Sequence, residues 1–147
     1  MRFDTHPWIS RLKAVEREFR ATIFSTQDTL RRARLDTCVL LNGISVSDLV
    51  RSVDNLEGTF TVRMFSEFET GLRTYWCVVR KNPPPSKAKP LIDSLAAYCG
   101  IPPTIEAGTH SVREYRNFLV HERDDEFVPI LLAHSRSCLG HFMSFLR

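Results

Sequence analysis

Apolar residues recur three or four positions apart along nearly the whole chain, and this spacing restricts the possible folds more than any other feature. The clearest stripe near the beginning of the chain consists of Trp8, Leu12, Val15, Phe19 and Ile23. No run of alternating polar and apolar residues is long enough to predict a half-buried strand. The sequence therefore predicts an all-α fold, a compact bundle of four to five main helices in a single domain spanning residues 1–147.

The composition is that of an ordinary globular domain, with 43% hydrophobic and 25% charged residues. Charges flank every short apolar run of MRFDTHPWISRLK, so we expect neither a signal peptide nor a membrane-spanning segment. A net charge of +3 permits binding to nucleic acid without requiring it. The four cysteines form no C-x-x-C pair and are interpreted as small buried hydrophobes. We therefore expect a cytoplasmic protein with no membrane contact and no cofactor.

Proline, glycine and capping residues predict where the first helices begin and end. The first helix begins near Pro7 and continues, with a break near Ser25, through the TCVLL segment to Gly43. A short helix follows, with Ser45 or Ser47 as its N-cap. These signals divide the first third of the chain into at least two helices.

A separate and better patterned helix follows the short one. Its apolar face is formed by Val62, Phe65, Phe68, Leu72, Tyr75, Trp76 and Val79. Gly71 inside it costs about 1 kcal/mol relative to alanine, which suggests close approach of a neighbouring backbone, although a tolerated glycine is equally possible. The segment KNPPPSKAKP, residues 81–90, must break this helix because proline lacks the backbone donor.

Three further helices are predicted after the proline-rich loop. One lies at residues 90–99 and ends at Gly100. The next extends from about Thr109 to Glu122, and a polar turn follows at residues 123–126. The last helix extends from Phe127 to Leu146. Its buried stripe is predicted to consist of Val128, Leu131, Leu132, Leu139, Phe142 and Leu146.

The segment RNFLVHE, which begins at Arg116, places three strong hydrogen-bonding side chains close together on a predicted helix. Asn117 and His121 are four residues apart and stack on the side opposite the core. Arg116 lies about 140° from His121 around the axis, at the boundary of the core face. The spacing therefore favours a composite site between two copies related by a two-fold axis. The core face of this helix is formed by Val112, Tyr115, Phe118 and Leu119.

Arg116 and Asn117, followed by three residues and His121, resemble the R-x4-6-H signature of the HEPN superfamily (higher eukaryotes and prokaryotes nucleotide-binding). The upstream segment FSEFETGLRTYW is similar to the helix that packs beside the motif helix in such domains, and it carries Glu69 where the family often has an acidic or polar residue. The resemblance covers most of the chain in helix order, and its specificity rests on three residues plus their context. Some toxin members carry a tyrosine shortly after the histidine, whereas this sequence continues HERDDEF.

The resemblance implies a HEPN-like fold and metal-independent RNA endonuclease activity at a homodimer cleft. Its implied catalytic residues are Arg116, Asn117 and His121. The histidine would exchange protons with the ribose 2′-OH and the leaving 5′-oxygen, the arginine would hold the phosphate, and the asparagine would orient either group. Arg113 and Glu69 are the expected RNA-binding residues, Arg113 at the RNA backbone and Glu69 as a hydrogen-bonding neighbour of the motif helix. Such proteins often act as toxins or in antiviral defence against phage, paired with an antitoxin.

Other interpretations remain open from the residues alone. After the nuclease, the second hypothesis for the motif helix is a non-catalytic HEPN-like module that binds nucleotides or a partner protein. The third is a helical interaction protein with an accidental motif. His134, Cys138 and His141 lie on one side of the last helix, but three ligands from one helix seldom complete a zinc site, so no metal is predicted. The basic segment TLRRARLD is a solvated face or an auxiliary RNA contact. The aromatic side chains Phe65, Phe68, Tyr75 and Trp76 are expected in the core rather than as a base-stacking platform.

Overall fold

The computed structural model describes residues 3–121 and 126–146, and every regular element in these ranges is helical. The α-helices are α1 (His6–Leu35), α2 (Val46–Arg80), α3 (Ala88–Cys99), α4 (Pro103–Val120) and α5 (Leu132–Ser144). The described residues contain no β-strand, which confirms the prediction of an all-α bundle with four to five main helices. None of the described helices combines the length and the apolar character that crossing a membrane requires.

A hairpin of two long helices forms the frame of the bundle. Helix α1 has 30 residues and α2 has 35, so they extend about 45 Å and about 52 Å. The three shorter helices pack on this hairpin: α5 contacts both long helices, and α4 contacts α2, α3 and α5. Helix α2 touches all four of the others and therefore carries the largest share of the core.

The predicted break near Ser25 is wrong, because α1 continues without interruption to Leu35. Threonine hydroxyls in this region bond to carbonyl oxygens one turn earlier, as Thr29 does to Ser25 at 2.9 Å, so they are satisfied within the helix. The predicted continuation to Gly43 is also wrong. Asp36 ends α1 by accepting a hydrogen bond from the Cys38 backbone N–H, and a short 3-10 turn follows.

The predicted short helix and the patterned helix after it are one continuous element, α2. Its start is as predicted: the Ser45 hydroxyl accepts a hydrogen bond from the Asp48 N–H, and the Asp48 carboxylate accepts one from the Ser45 N–H. The residues around Gly58, between the two predicted helices, are helical and are stabilised by contact with α4. A Cβ atom at Gly58 would lie 3.1 Å from the Leu119 side chain of α4, so α4 packs directly on this part of α2.

The predicted bounds of the last two helices need correction. Helix α4 begins at Pro103 rather than Thr109, a favoured first position for proline. Helix α5 begins at Leu132 rather than Phe127, because Pro129 disfavours helical backbone before it. Val128 and Leu131 are consequently 81% and 67% exposed rather than buried. Of the predicted polar turn, residues 123–125 lie outside the described residues, as does the predicted helix end at 122.

The buried positions otherwise follow the sequence pattern. Phe65, Phe68, Tyr75 and Trp76 are all buried, which confirms them as core. The cysteine interpretation is only partly correct: all four thiols are free, but Cys38 and Cys77 are exposed on the surface. Cys38 lies in the short turn after α1, and Cys77 lies on an outward face of α2, so no other element covers either side chain.

Gly71 is buried where α2 meets α1 and α5. A Cβ atom there would collide with the side chain of Met143 and lie 3.1 Å from the ring of Trp8. The close neighbours are therefore side chains rather than the backbone that the sequence suggested. Gly140 on α5 is also in a helix, but nothing lies within 4 Å of a Cβ atom built there.

These two glycines form a matched pair for a stability test. Gly140→Ala should raise the free energy of unfolding by about 0.5–1 kcal/mol, because alanine favours the helix and meets no neighbour. Gly71→Ala should be at least about 1 kcal/mol less stable than Gly140→Ala, because Met143 and Trp8 must move. Urea unfolding followed by circular dichroism measures both. An equal gain in the two variants would contradict the packing at Gly71.

Candidate functional site

Arg116 lies near the end of α4, half-buried at the edge of the core as the sequence predicted. Its guanidinium carbon is 5.7 Å from the centroid of the Phe65 ring, and Nη1 donates to Oδ1 of Asn117 at 3.0 Å. Its Nε atom is buried, and no acceptor among the described residues reaches it. A buried donor without an acceptor costs about 1–3 kcal/mol, so the described residues leave this nitrogen as an unsatisfied polar group behind the exposed part of the guanidinium.

Arg116 opens onto a cleft of about 440 Å³ between α2, α4 and the start of α3. The cleft is lined by Glu69, Ser86, Lys87, Ala88, Lys89, Arg113, Arg116 and Asn117. The structure thus brings together four of the five predicted site residues, all except His121. Four of the lining side chains are cationic and one is anionic, so the cleft favours negatively charged ligands.

Among the described residues, Glu69 is the single carboxylate that lines the cleft, and it is already paired. Arg73 donates to Oε1 of Glu69 from both Nε (3.0 Å) and Nη2 (2.6 Å). Glu69 therefore bonds a residue of its own helix, which corrects the expectation that it bonds the motif helix. Arg73 also donates to the carbonyl oxygens of Pro85 and Ser86, each at 2.8 Å. It fixes the proline-rich loop beside the cleft.

Sequence inspection did not single out Arg73. The available signal was its spacing, since Glu69 and Arg73 are four residues apart and form a stabilising pair on a helix. Arg73 also bonds the carbonyl oxygens of residues 12 and 13 positions later in the chain, and no local sequence pattern predicts such contacts.

His121 lies elsewhere than predicted. Helix α4 ends at Val120, and His121 follows with extended backbone angles (φ −110°, ψ 122°), its N–H donating to the Asn117 carbonyl at 3.0 Å. The side chain is exposed and does not line the cleft, so it does not stack on Asn117. Val120, the last residue of α4, is itself exposed. One protomer therefore does not place Arg116 and His121 around one group.

A chain of hydrogen bonds, not expected from the sequence, lies behind the cleft. Arg113 donates from Nε to Nδ1 of His110 at 3.2 Å, and the other ring nitrogen of His110 is 2.7 Å from Oδ1 of Asp93. Lys89 donates to Oδ2 of the same carboxylate at 2.9 Å. Burial acts to raise the pKa of Asp93, but the hydrogen bonds from Lys89 and His110 outweigh it and hold the pKa below its ordinary value.

Two groups of side chains have the composition of a metal site. Asp93, Glu106 and His110 offer ligand atoms within 4.8 Å of one another. However, Arg113 donates to Nδ1, so the proton of the neutral ring lies on Nε2, the nitrogen that faces the carboxylates and would have to bind the metal. Lys89 and Arg113 also add positive charge there. The group is better described as a hydrogen-bonded network than as a metal centre.

The second group is the predicted but disfavoured set on α5. The ring of His134 approaches Cys138, with Nε2 3.5 Å from Sγ, but within the described ranges His141 does not join them in a set close enough to share an ion. Burial raises the pKa of the Cys138 thiol, which disfavours the thiolate that zinc requires. The basic segment of α1 contributes nothing to the cleft, and Arg31 and Arg32 pair with Asp28 of the same helix.

Comparisons with protein-family models, with curated proteins and with solved structures found no match for this chain. The role of the cleft must therefore be inferred from its own residues. What those residues provide is a concentrated positive charge, a partly buried guanidinium packed on Phe65, and a loop held in place by Arg73.

Removing the Arg73 side chain should release the proline-rich loop. We expect Arg73→Ala to increase the rate of trypsin cleavage after Lys81 and Lys87 at least about tenfold, because two charge-assisted hydrogen bonds to the loop are lost. The control is Arg31→Ala, which removes only an ion pair within α1. Mass spectrometry of the early fragments measures both rates. Equal rates in the two variants would show that Arg73 does not restrain the loop.

Proposed function

We propose that this protein is a HEPN-like, metal-independent RNA endonuclease that binds the RNA backbone in the cationic cleft. The observation that carries the proposal is the position of Arg116. Its side chain is half-buried, its guanidinium lies over the ring of Phe65, and it opens onto the same cleft as Lys87, Lys89 and Arg113. Phosphate is the ligand that such an arrangement fits best, because guanidinium groups bind its oxygens through paired donors.

The chemistry follows from the residue types of the motif. The ribose 2′-oxygen attacks the adjacent phosphorus, the bond from phosphorus to the 5′-oxygen breaks, and the products are a 2′,3′-cyclic phosphate and a 5′-hydroxyl. Arg116 stabilises the additional negative charge of the pentavalent transition state. His121 takes the proton of the 2′-OH or supplies one to the leaving 5′-oxygen, since imidazole exchanges protons near neutral pH. Asn117 holds the guanidinium in place through the hydrogen bond from Nη1.

A homodimer is part of the proposal. His121 is exposed just beyond the end of α4 and does not line the cleft of its own protomer. If two copies pack with their α4 ends together, His121 of the partner subunit can approach the phosphate that Arg116 holds. The exposed side chains of Val120, Val128 and Leu131, near the same end of α4, offer apolar surface for that contact. A role as a toxin or phage-defence effector with an antitoxin partner in the cytoplasm follows from the resemblance to the superfamily.

A second function, binding without cleavage, is favoured by the same position of His121. The cleft retains its cationic groups whether or not a histidine reaches it. A non-catalytic HEPN-like module would use Arg113 and Arg116 to hold a nucleotide or an acidic segment of a partner protein. The two functions differ in what the loss of His121 does: cleavage requires it, and binding in the cleft does not.

Cleavage of single-stranded RNA by purified protein is the direct test. His121→Ala and Arg116→Ala should each reduce the rate about 10²–10⁴-fold, because one removes the proton-transfer group and the other removes transition-state stabilisation. His141→Ala and Arg17→Ala remove the same side-chain types from exposed positions on other helices and should leave the rate unchanged. Thermal unfolding of all four variants checks that the fold is retained.

The mechanism also makes a prediction about metal. The rate should be unchanged in EDTA, because no step uses a divalent ion, and the products should carry the cyclic phosphate, which mass spectrometry identifies. Strict dependence on Mg²⁺ would contradict the mechanism. A wild-type protein that binds RNA through Arg116 but does not cleave it would favour the non-catalytic module.

A further inference from the structure

Two of the cationic side chains in the cleft share one anchor. Lys89 at the start of α3 and Arg113 on α4 both line the cleft. Lys89 bonds Asp93 directly at 2.9 Å, and Arg113 reaches Asp93 through His110, with distances of 3.2 Å and 2.7 Å. Asp93 and His110 do not line the cleft themselves. They lie behind it and connect the helices that form two of its sides.

We propose that Asp93 and His110 are positioning residues that hold Arg113 and Lys89 toward the phosphates of bound RNA. The inference rests on the proposed RNA-binding function of the cleft and adds residues that the motif does not contain. Arginine and lysine have long side chains with many rotamers, and fixing them before binding reduces the entropy lost when they meet a ligand. Only 13% of the Arg113 side chain is exposed, so most of it is held against the protein.

The direction of each hydrogen bond supports this role. Arginine is only a donor, so Nδ1 of His110 accepts from Arg113. The proton of the neutral ring therefore lies on Nε2, and this N–H donates to Asp93. Asp93 accepts through its second oxygen from Lys89. The carboxylate thus orients an imidazole, and the imidazole orients a guanidinium.

The other charged groups around His110 do not replace this arrangement. Glu106, one turn earlier on α4, has Oε1 at 3.8 Å from Nε2, too far for a hydrogen bond. Glu114 accepts from Nη2 of Arg113 at 2.9 Å, but its side chain is 58% exposed, so it restrains the outer end of the guanidinium only weakly. His110, whose side chain is 18% exposed, is therefore the more buried of the two restraints on Arg113, and Asp93 fixes its ring.

Binding of a single-stranded 2′-O-methyl RNA separates this inference from catalysis, because the oligonucleotide has no 2′-OH to attack. Fluorescence anisotropy at several salt concentrations gives the dissociation constant and its salt dependence. Arg113→Ala should weaken binding about five- to tenfold and reduce the slope of log K against log salt by about 0.7. His110→Ala should change both quantities in the same direction, because the guanidinium is released from its position.

A double-mutant cycle tests whether His110 acts through Arg113. The variant with both residues replaced by alanine should bind no more weakly than Arg113→Ala alone. His110→Gln should restore binding close to that of the wild type, since the amide also provides one donor and one acceptor. Glu106→Gln is the matched control on the same helix and should have no effect. Urea unfolding checks the stability of every variant.

The outcomes separate the failure of each idea. Additive losses in the double variant, no loss in His110→Ala, or no rescue in His110→Gln would overturn the positioning role while leaving the RNA-binding cleft in place. Unchanged binding in Arg113→Ala would also overturn the positioning role. Unchanged binding in both Arg113→Ala and Arg116→Ala would contradict the proposal that RNA binds in this cleft. A wild type that binds this RNA as expected but does not cleave ordinary RNA would refute the nuclease, and weaker binding by His110→Ala with rescue by His110→Gln would then still support the positioning role. Saturable binding of zinc chloride that is lost in both Glu106→Gln and His110→Ala would overturn the network in favour of a metal site.

Discussion

The burial of the aromatic face of α2 is the interaction on which the rest of the molecule depends. Phe65, Phe68 and Tyr75 are almost completely buried, and the helix that carries them touches all four of the others. Burial of a single large apolar side chain contributes about 1.5–3 kcal/mol, so this face is the main source of the free energy that holds the bundle together. Phe65 also lies under the guanidinium of Arg116. The core and the cleft therefore share a side chain.

That shared side chain explains how a flexible arginine is held at the surface. The ring of Phe65 attracts the cation from below, and Asn117 accepts a hydrogen bond from one end of it. On another side of the cleft, Arg73 bonds a carbonyl oxygen of the proline-rich loop. Asp93 on α3 bonds Lys89 of the same helix and His110 of α4, and so connects these two helices. The positive charge thus comes from two helices, α3 and α4, and one loop rather than from a single basic segment.

The sequence was sufficient to predict the helical class and most of the buried stripe, because both depend on local spacing. It was insufficient for the boundaries, which depend on distant partners. Helix α2 is continuous past Gly58 because Leu119 packs there, and α5 begins where the Leu132 N–H donates to Glu57 at 2.7 Å. Neither contact has a local signature.

The same distinction applies to the site. Arg113, Arg116 and Asn117 belong to one short segment, and the structure places them in the cleft together with Glu69. His121 was misplaced because α4 ends at Val120, so the helical wheel does not extend to this residue. Asp93 and His110 were missed because their pairing joins residues 17 positions apart on different helices.

The bond between Glu57 and the Leu132 N–H joins residues 75 positions apart and substitutes for a local cap at the start of α5. Because that acceptor is on α2, α5 has no side-chain cap of its own, and its first turn is stabilised only once α2 is in place. We therefore expect the order of assembly to be fixed, with the long hairpin condensing first and α5 docking late. A chain arrested before this last step would leave Phe68 and its neighbours open to solvent, in a form prone to self-association.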